Sequence, residues 1–149
     1  MKKGDLEPPT YFLIYLVLTI GLHFILPIIQ LIHTPYRYSG ILFIGIGLWL
    51  NLWADGLFKK KNTAVKPSRK SSVLILEGPF RFSRHPMYLG MVIALIGMTI
   101  ILGSLITFLP PIAFFITMQI AFIPYEEKAM EEMVGEEYLD YKNHVRCWM

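Results

Sequence analysis

The chain has 149 residues and a mass of 17.2 kDa, with 54% apolar and 17% charged residues, a mean hydropathy of +0.49 and a net charge of +3. A soluble domain of this size cannot hide so much apolar surface, so the composition points to an integral membrane protein and excludes disorder, collagen and coiled coil. The single cysteine, Cys147, excludes a disulfide framework and a cysteine-based zinc site.

In chain order, residues 11–32 give 22 residues broken only by His23, Pro27 and Gln30, and residues 40–58 give 19 with Asp55 near the end. A basic segment follows, and eight of the 14 Lys and Arg residues fall between Lys59 and Arg84. From Met87 to Tyr125 there are then 39 residues without a charge, about 58 Å of helix and roughly twice the hydrocarbon core of a bilayer. That length predicts a helical hairpin turning at Gly103 and Ser104. Seven of the 11 acids lie beyond it, on a stretch whose apolar residues Met130, Met133, Val134, Tyr138, Tyr141, Val145 and Trp148 recur every three or four positions. This periodicity predicts an amphipathic surface helix.

The expected fold is therefore all-α, a polytopic membrane protein of one domain over residues 1–149. Its spans are expected at about 11–32, 40–58, 87–102 and 105–123, with a connecting loop at 59–86 and a C-terminal helix at 125–148. Four spans put Lys2, Lys3, the basic loop and the C-terminal stretch on one side. The other side receives only residues 34–39, with Arg37, and the turn at 103–104. The positive-inside rule makes the charged side cytoplasmic, in a bacterial-type inner membrane or its equivalent. The first apolar run is long enough to span and lacks a cleavage signature, so no removable signal is expected.

Two clusters carry chemistry. Where the loop meets the third span, Pro86 disfavours helix at His85 but suits the first helical position, so the span should begin at Pro86 or Met87. Its first amides have no intrahelical partner and, flanked by Arg84 and His85, form an anion site. The bland alternative is a helix start with interfacial anchors. At the end of the fourth span stand Glu126 and Glu127, and an antiparallel hairpin brings them beside Arg84 and His85. The pair of clusters complements the carboxylate and ammonium of an amino acid, and a salt bridge from Arg84 to a glutamate closing the hairpin is the competing reading. His23 is expected to bond a neighbouring helix, Asp55 to pair with Lys59, and Gly90 and Gly97 to mark close helix packing.

Gly78-Pro79-Phe80, Arg84-His85-Pro86-Met87-Tyr88-Leu89-Gly90, an apolar hairpin, Glu126-Glu127 and Gly135-Glu136-Glu137-Tyr138 with Tyr141, Val145 and Arg146 occur in that order. Together they resemble the isoprenylcysteine carboxyl methyltransferase and phospholipid methyltransferase superfamily, over about half of the chain. The resemblance implies an integral membrane enzyme that moves a methyl group from S-adenosylmethionine to a small lipophilic or lipid acceptor, leaving S-adenosylhomocysteine. It implies cofactor contacts at residues 72–75 (Leu74 and Ile75 among them), Phe80, His85, Pro86, Met87, Tyr88, Glu126 and Glu127, and catalytic roles for Arg84, His85 and Glu127.

One departure bears on substrate. The prenylcysteine enzymes carry an arginine about one turn before the cofactor glutamate, and Phe122 stands there in this chain, which argues against a prenylcysteine carboxylate as acceptor. Partners are expected to be the bilayer and a lipophilic substrate, with no nucleic acid and no metal. The oligomeric state is left open. A small four-helix transporter using His23, or a non-catalytic scaffold, are the alternative readings.

Overall fold

The computed structural model describes residues 7–26, 29–60 and 74–149. Lys2, Lys3 and Pro27, the basic residues Lys61, Lys66, Arg69 and Lys70, and positions 72–73 of the expected cofactor segment lie outside the described residues.

Helix α1 is Pro8–Ile25, opened by prolines that fit the first turn. It stops well before residue 32, the end expected from hydropathy. Pro27 has no N–H and disfavours helix in the residue before it. Residues 29–32 instead join the turn of the hairpin, where Leu31 N–H donates to Gly103 O at 2.8 Å and Leu105 N–H to Ile29 O at 2.9 Å. After a 3₁₀ turn at Tyr36–Tyr38 comes α2, Ser39–Lys60. A second 3₁₀ turn, Gly78–Arg81, precedes α3, Pro86–Leu102, which ends at the left-handed Gly103.

The fourth span is one continuous helical path of changing pitch. A 3₁₀ turn at Leu105–Phe108 leads into α4, Leu109–Thr117, then a π-helical turn at Met118–Phe122, then α5, Ile123–Val134. Pro124 lacks an N–H, and Ile123 N–H bonds Met118 O five residues back, so the wider turn forms just ahead of the proline. Gly135 adopts φ 69°, ψ −132°, a conformation closed to residues with a Cβ, and α6, Glu136–His144, departs in a new direction. The stretch expected as one helix over 125–148 is thus the end of the fourth span, a glycine break, a short helix and an extended segment.

Among the described residues there is no strand, and three stretches are long and apolar enough to cross a membrane: Pro8–Ile25, Tyr36–Lys60 and Leu105–Val134. With the shorter apolar helix Pro86–Leu102 they make the chain an all-α polytopic membrane protein.

Within lipid, helices associate through close packing rather than through apolar burial, so small residues mark the interfaces. On α2 and α3 two glycine pairs face each other, Gly40 with Gly97 and Gly47 with Gly90. A Cβ on Gly97 would lie 2.6 Å from Gly40 O, and one on Gly47 would clash with Gly90 O. The core lies between α1, α3 and the fourth span and is built on Leu95, Phe114 and Met118, each fully buried, with Tyr88, Met91 and Phe122. Tyr15 of α1 bonds Thr117 there at 2.9 Å. At the hairpin turn His23 Nδ1 lies 2.7 Å from Ser104 Oγ, and Arg37 donates to Leu102 O at the end of α3. Asp55 and Lys59 form the expected pair at 2.5 Å.

Candidate active site

The hairpin delivers the start of α3 and the end of the fourth span to one face. Pro86, fully buried, opens α3, and Leu89 N–H donates to His85 O at 3.1 Å, so the amides of Met87 and Tyr88 precede the ladder. Opposite them, α5 presents Glu126 and Glu127 in consecutive positions, and the two carboxylates share His85 but otherwise take different partners.

Glu126 faces α3. The Tyr88 hydroxyl donates to its Oε1, and His85 Nδ1 lies 3.4 Å from its Oε2. The His85 and Tyr88 rings are parallel, 4° apart in plane with centroids at 5.6 Å. Glu127 faces the other way, with Arg84 Nη2 3.1 Å and His85 Nε2 3.5 Å from Oε1, and Lys142 Nζ of α6 2.9 Å from Oε2. The Arg84, His85 and Glu127 side chains are each 10% exposed, so these charges sit largely out of water. The salt bridge from Arg84 to a glutamate and the gathering of anion donors with carboxylates are therefore both present in one cluster.

The cluster is not saturated. Arg84 Nε and Nη1, His85 Nε2 and Glu127 Oε1 are buried without a hydrogen-bond partner, although Arg84 Nη2 and His85 Nε2 lie within ion-pair distance of that oxygen. Buried orphan donors of this kind are uncommon in proteins and suit a polar ligand. A cavity of about 410 Å³ adjoins them, lined by the charged residues Arg84, Glu127, Lys128, Glu131 and Lys142 and by Gln119, Ile123, Pro124 and Cys147.

Burial by itself would lower the His85 pKa, but hydrogen bonds and the charges of Glu126 and Glu127 outweigh it and raise the ring above its ordinary value. Lys142 is raised by Glu131, 2.7 Å away, and by Glu127. Burial pushes the Cys147 thiol up. His85, Glu127 and Cys147 each bring one potential ligand atom within 4.8 Å of the others. Two cations already hold Glu127, and burial disfavours the thiolate form of Cys147.

The remaining expected residues fall in different places. Ile75 and Phe80 are buried together with Ala54, and Met87 packs on them, while Leu74 is half-buried beside this group. The Tyr141 hydroxyl donates to Phe80 O at 2.6 Å and so fastens the 3₁₀ turn to α6. Phe122 is 4% exposed, edge-on to Tyr11 at 5.2 Å, and belongs to the core rather than to the cavity wall formed by its neighbours Ile123 and Pro124. Sequence reasoning missed Ser83, Lys142 and Cys147. Lys142 and Cys147 reach the site because the chain turns at Gly135 before α6.

The family model described as phospholipid methyltransferase matches residues 36–137, which include both clusters. An uncharacterized protein of Haemophilus influenzae (strain ATCC 51907 / DSM 11121 / KW20 / Rd) is 35% identical over 63 residues, 42% of this chain and the whole of that protein. No solved structure gives a significant match. An all-α membrane protein matched over more than half of its length, the chain belongs to the phospholipid methyltransferase family, a family of membrane methyltransferases.

Proposed function

We propose that the protein transfers a methyl group from S-adenosylmethionine to a small lipophilic or lipid acceptor at the cytoplasmic face. The observation that carries this reading is the cluster of Arg84, His85, Glu126, Glu127 and Tyr88 at one end of the hairpin, with orphaned buried nitrogens beside a cavity. The residues fit a zwitterionic sulfonium ligand. Arg84 and the amides of Met87 and Tyr88 answer a carboxylate, Glu126 answers an ammonium, and the face of Tyr88 attracts a cation. When bound, the cofactor supplies an electrophilic methyl group on a positively charged sulfur.

The protein's own work is alignment and exclusion of water. The glutamates fix the donor end, and the apolar helices around the cavity admit an acceptor from the bilayer. His85, whose imidazolium form its two carboxylates favour, orients them. For an amine or alcohol acceptor the proton has to pass to neutral His85 or to a glutamate, of which Glu127, paired with Arg84 and Lys142, is the weaker base; a carboxylate or thiolate acceptor needs no base. With Phe122 in the core, no arginine occupies the position at which the prenylcysteine enzymes hold a free carboxylate, which favours a different acceptor.

Calorimetry of the purified protein with S-adenosylhomocysteine tests the reading. Glu126→Gln and His85→Ala should each weaken binding by about 2 kcal/mol or more, as truncating a partner in a buried charge cluster does. An absence of binding to the wild type, or binding unchanged from wild type in both variants, sinks the assignment.

A further inference from the structure

After α6 the chain does not leave the site. Residues 145–149 turn extended at Val145 and run back across it. On one side Arg146 O accepts from Arg84 N–H at 3.1 Å, and Cys147 O accepts from the Ser83 hydroxyl at 3.1 Å. On the other side Trp148 Nε1 donates to Gln119 Oε1 at 2.6 Å, and its ring packs on Phe115 at 4.5 Å. Cys147, between these two attachments, is part of the cavity wall. The segment therefore bridges the loop before α3 and the fourth span.

Ser83 is the joint. It is 2% exposed, and while its hydroxyl hydrogen goes to Cys147 O, its oxygen accepts from His85 N–H at 3.2 Å. One buried hydroxyl thus ties the returning segment to the main chain of the residue whose ring spans both glutamates. The amides of Arg84 and His85 precede α3 and have no ladder to join, so their order depends on Arg146 O and Ser83 Oγ. At the far attachment, the carboxamide of Gln119 stands in an otherwise apolar helix, where an unpaired amide is costly, and Trp148 satisfies it.

Resting on the reading of the active site given above, we propose that Ser83 is a positioning residue. With residues 145–149 latched at Trp148 on Gln119, its hydroxyl fixes the main chain of His85, and unlatching the segment frees Arg84 and His85 together. Loss of the latch opens a wall of the cavity and loosens the donors beneath it in one event.

The test uses the full chain in neutral maltoside micelles. Cys147 is the single cysteine, so its alkylation rate by N-ethylmaleimide reads the opening of the segment. Amide hydrogen exchange in a peptide covering residues 83–89 reads the order of the loop. Gln119→Leu, which removes the hydrogen bond of the latch, and Ser83→Ala, which removes the joint, should each raise both rates about tenfold, the order expected for loss of a hydrogen bond. Ser83→Thr, which keeps the hydroxyl, should restore both, and Ser83→Ala should weaken S-adenosylhomocysteine binding about tenfold. Faster alkylation in Gln119→Leu without faster exchange at residues 84–85 overturns the coupling, as does Ser83→Ala with wild-type rates. A wild type that binds no S-adenosylhomocysteine removes the cofactor assignment instead, while alkylation and exchange still decide the role of Ser83.

Discussion

His85 shows how the site balances its charges. Its ring is 10% exposed, yet it lies 3.4 Å from Glu126 and 3.5 Å from Glu127, and the two carboxylates raise its pKa against the opposing effect of burial. A folded-state pKa above the ordinary 6.5 means that the imidazolium stabilises the fold fully below about pH 6.5 and that this contribution is lost as pH rises through the folded value. The thermal midpoint in micelles should therefore fall as pH is raised from 6 towards 9, and His85→Gln should flatten that slope; a wild-type midpoint independent of pH contradicts the arrangement. Lys142, raised by Glu131 and Glu127, adds a loss of the same sign only above 10.5. Arg84, His85, Glu126 and Glu127 were readable as one cluster because a hairpin of uncharged residues has only one way to return its ends. Lys142, Ser83 and Cys147 were not, since nothing local in their sequence points at Glu127 or at His85.

At the level of elements, the interfaces rest on backbone proximity. Gly40, Gly47, Gly90 and Gly97 let α2 and α3 approach until each glycine meets the other helix's carbonyls. Gly47→Leu should force the helices apart and cost about 1–3 kcal/mol, the usual penalty for overpacking, measured by reversible unfolding in mixed micelles. Gly21→Leu, at a position with open space, is the control and should leave stability nearly unchanged. The spacing of Gly90 and Gly97 announced a packed face, but their partners on α2 emerge only when the helices are docked. The π turn at Met118–Phe122 is a second feature of this kind. One residue of changed register rotates the following helix by about 100°, which sets the face on which Glu126 and Glu127 emerge. Pro124 hinted at a disturbance, whereas the pitch of the turn depends on how α5 packs.

For the whole molecule, orientation follows from where the charges fall. We expect the loop between α1 and α2 to face away from the cytoplasm and the Glu126 end to face it. In a Cys147→Ser background, Tyr38→Cys, 66% exposed in the structure, should react with an impermeant maleimide in right-side-out vesicles, and Lys128→Cys should react only after permeabilisation. The opposite pattern reverses the topology and places the site outside.

Composition and charge position by themselves determined that the chain is an all-α membrane protein, that residues 87–123 double back, and that the basic and acidic clusters meet at one end. These follow from hydrocarbon thickness and from the cost of charge in lipid, which act on any sequence in the same way. The tertiary structure decided the rest. It gave Glu126 and Glu127 a shared His85 and otherwise different partners, placed Phe122 in the core, and folded residues 145–149 back over Arg84. Those outcomes rest on a one-residue change of helical register and on a glycine bend at Gly135, whose directions are set by packing between distant segments rather than by any local pattern.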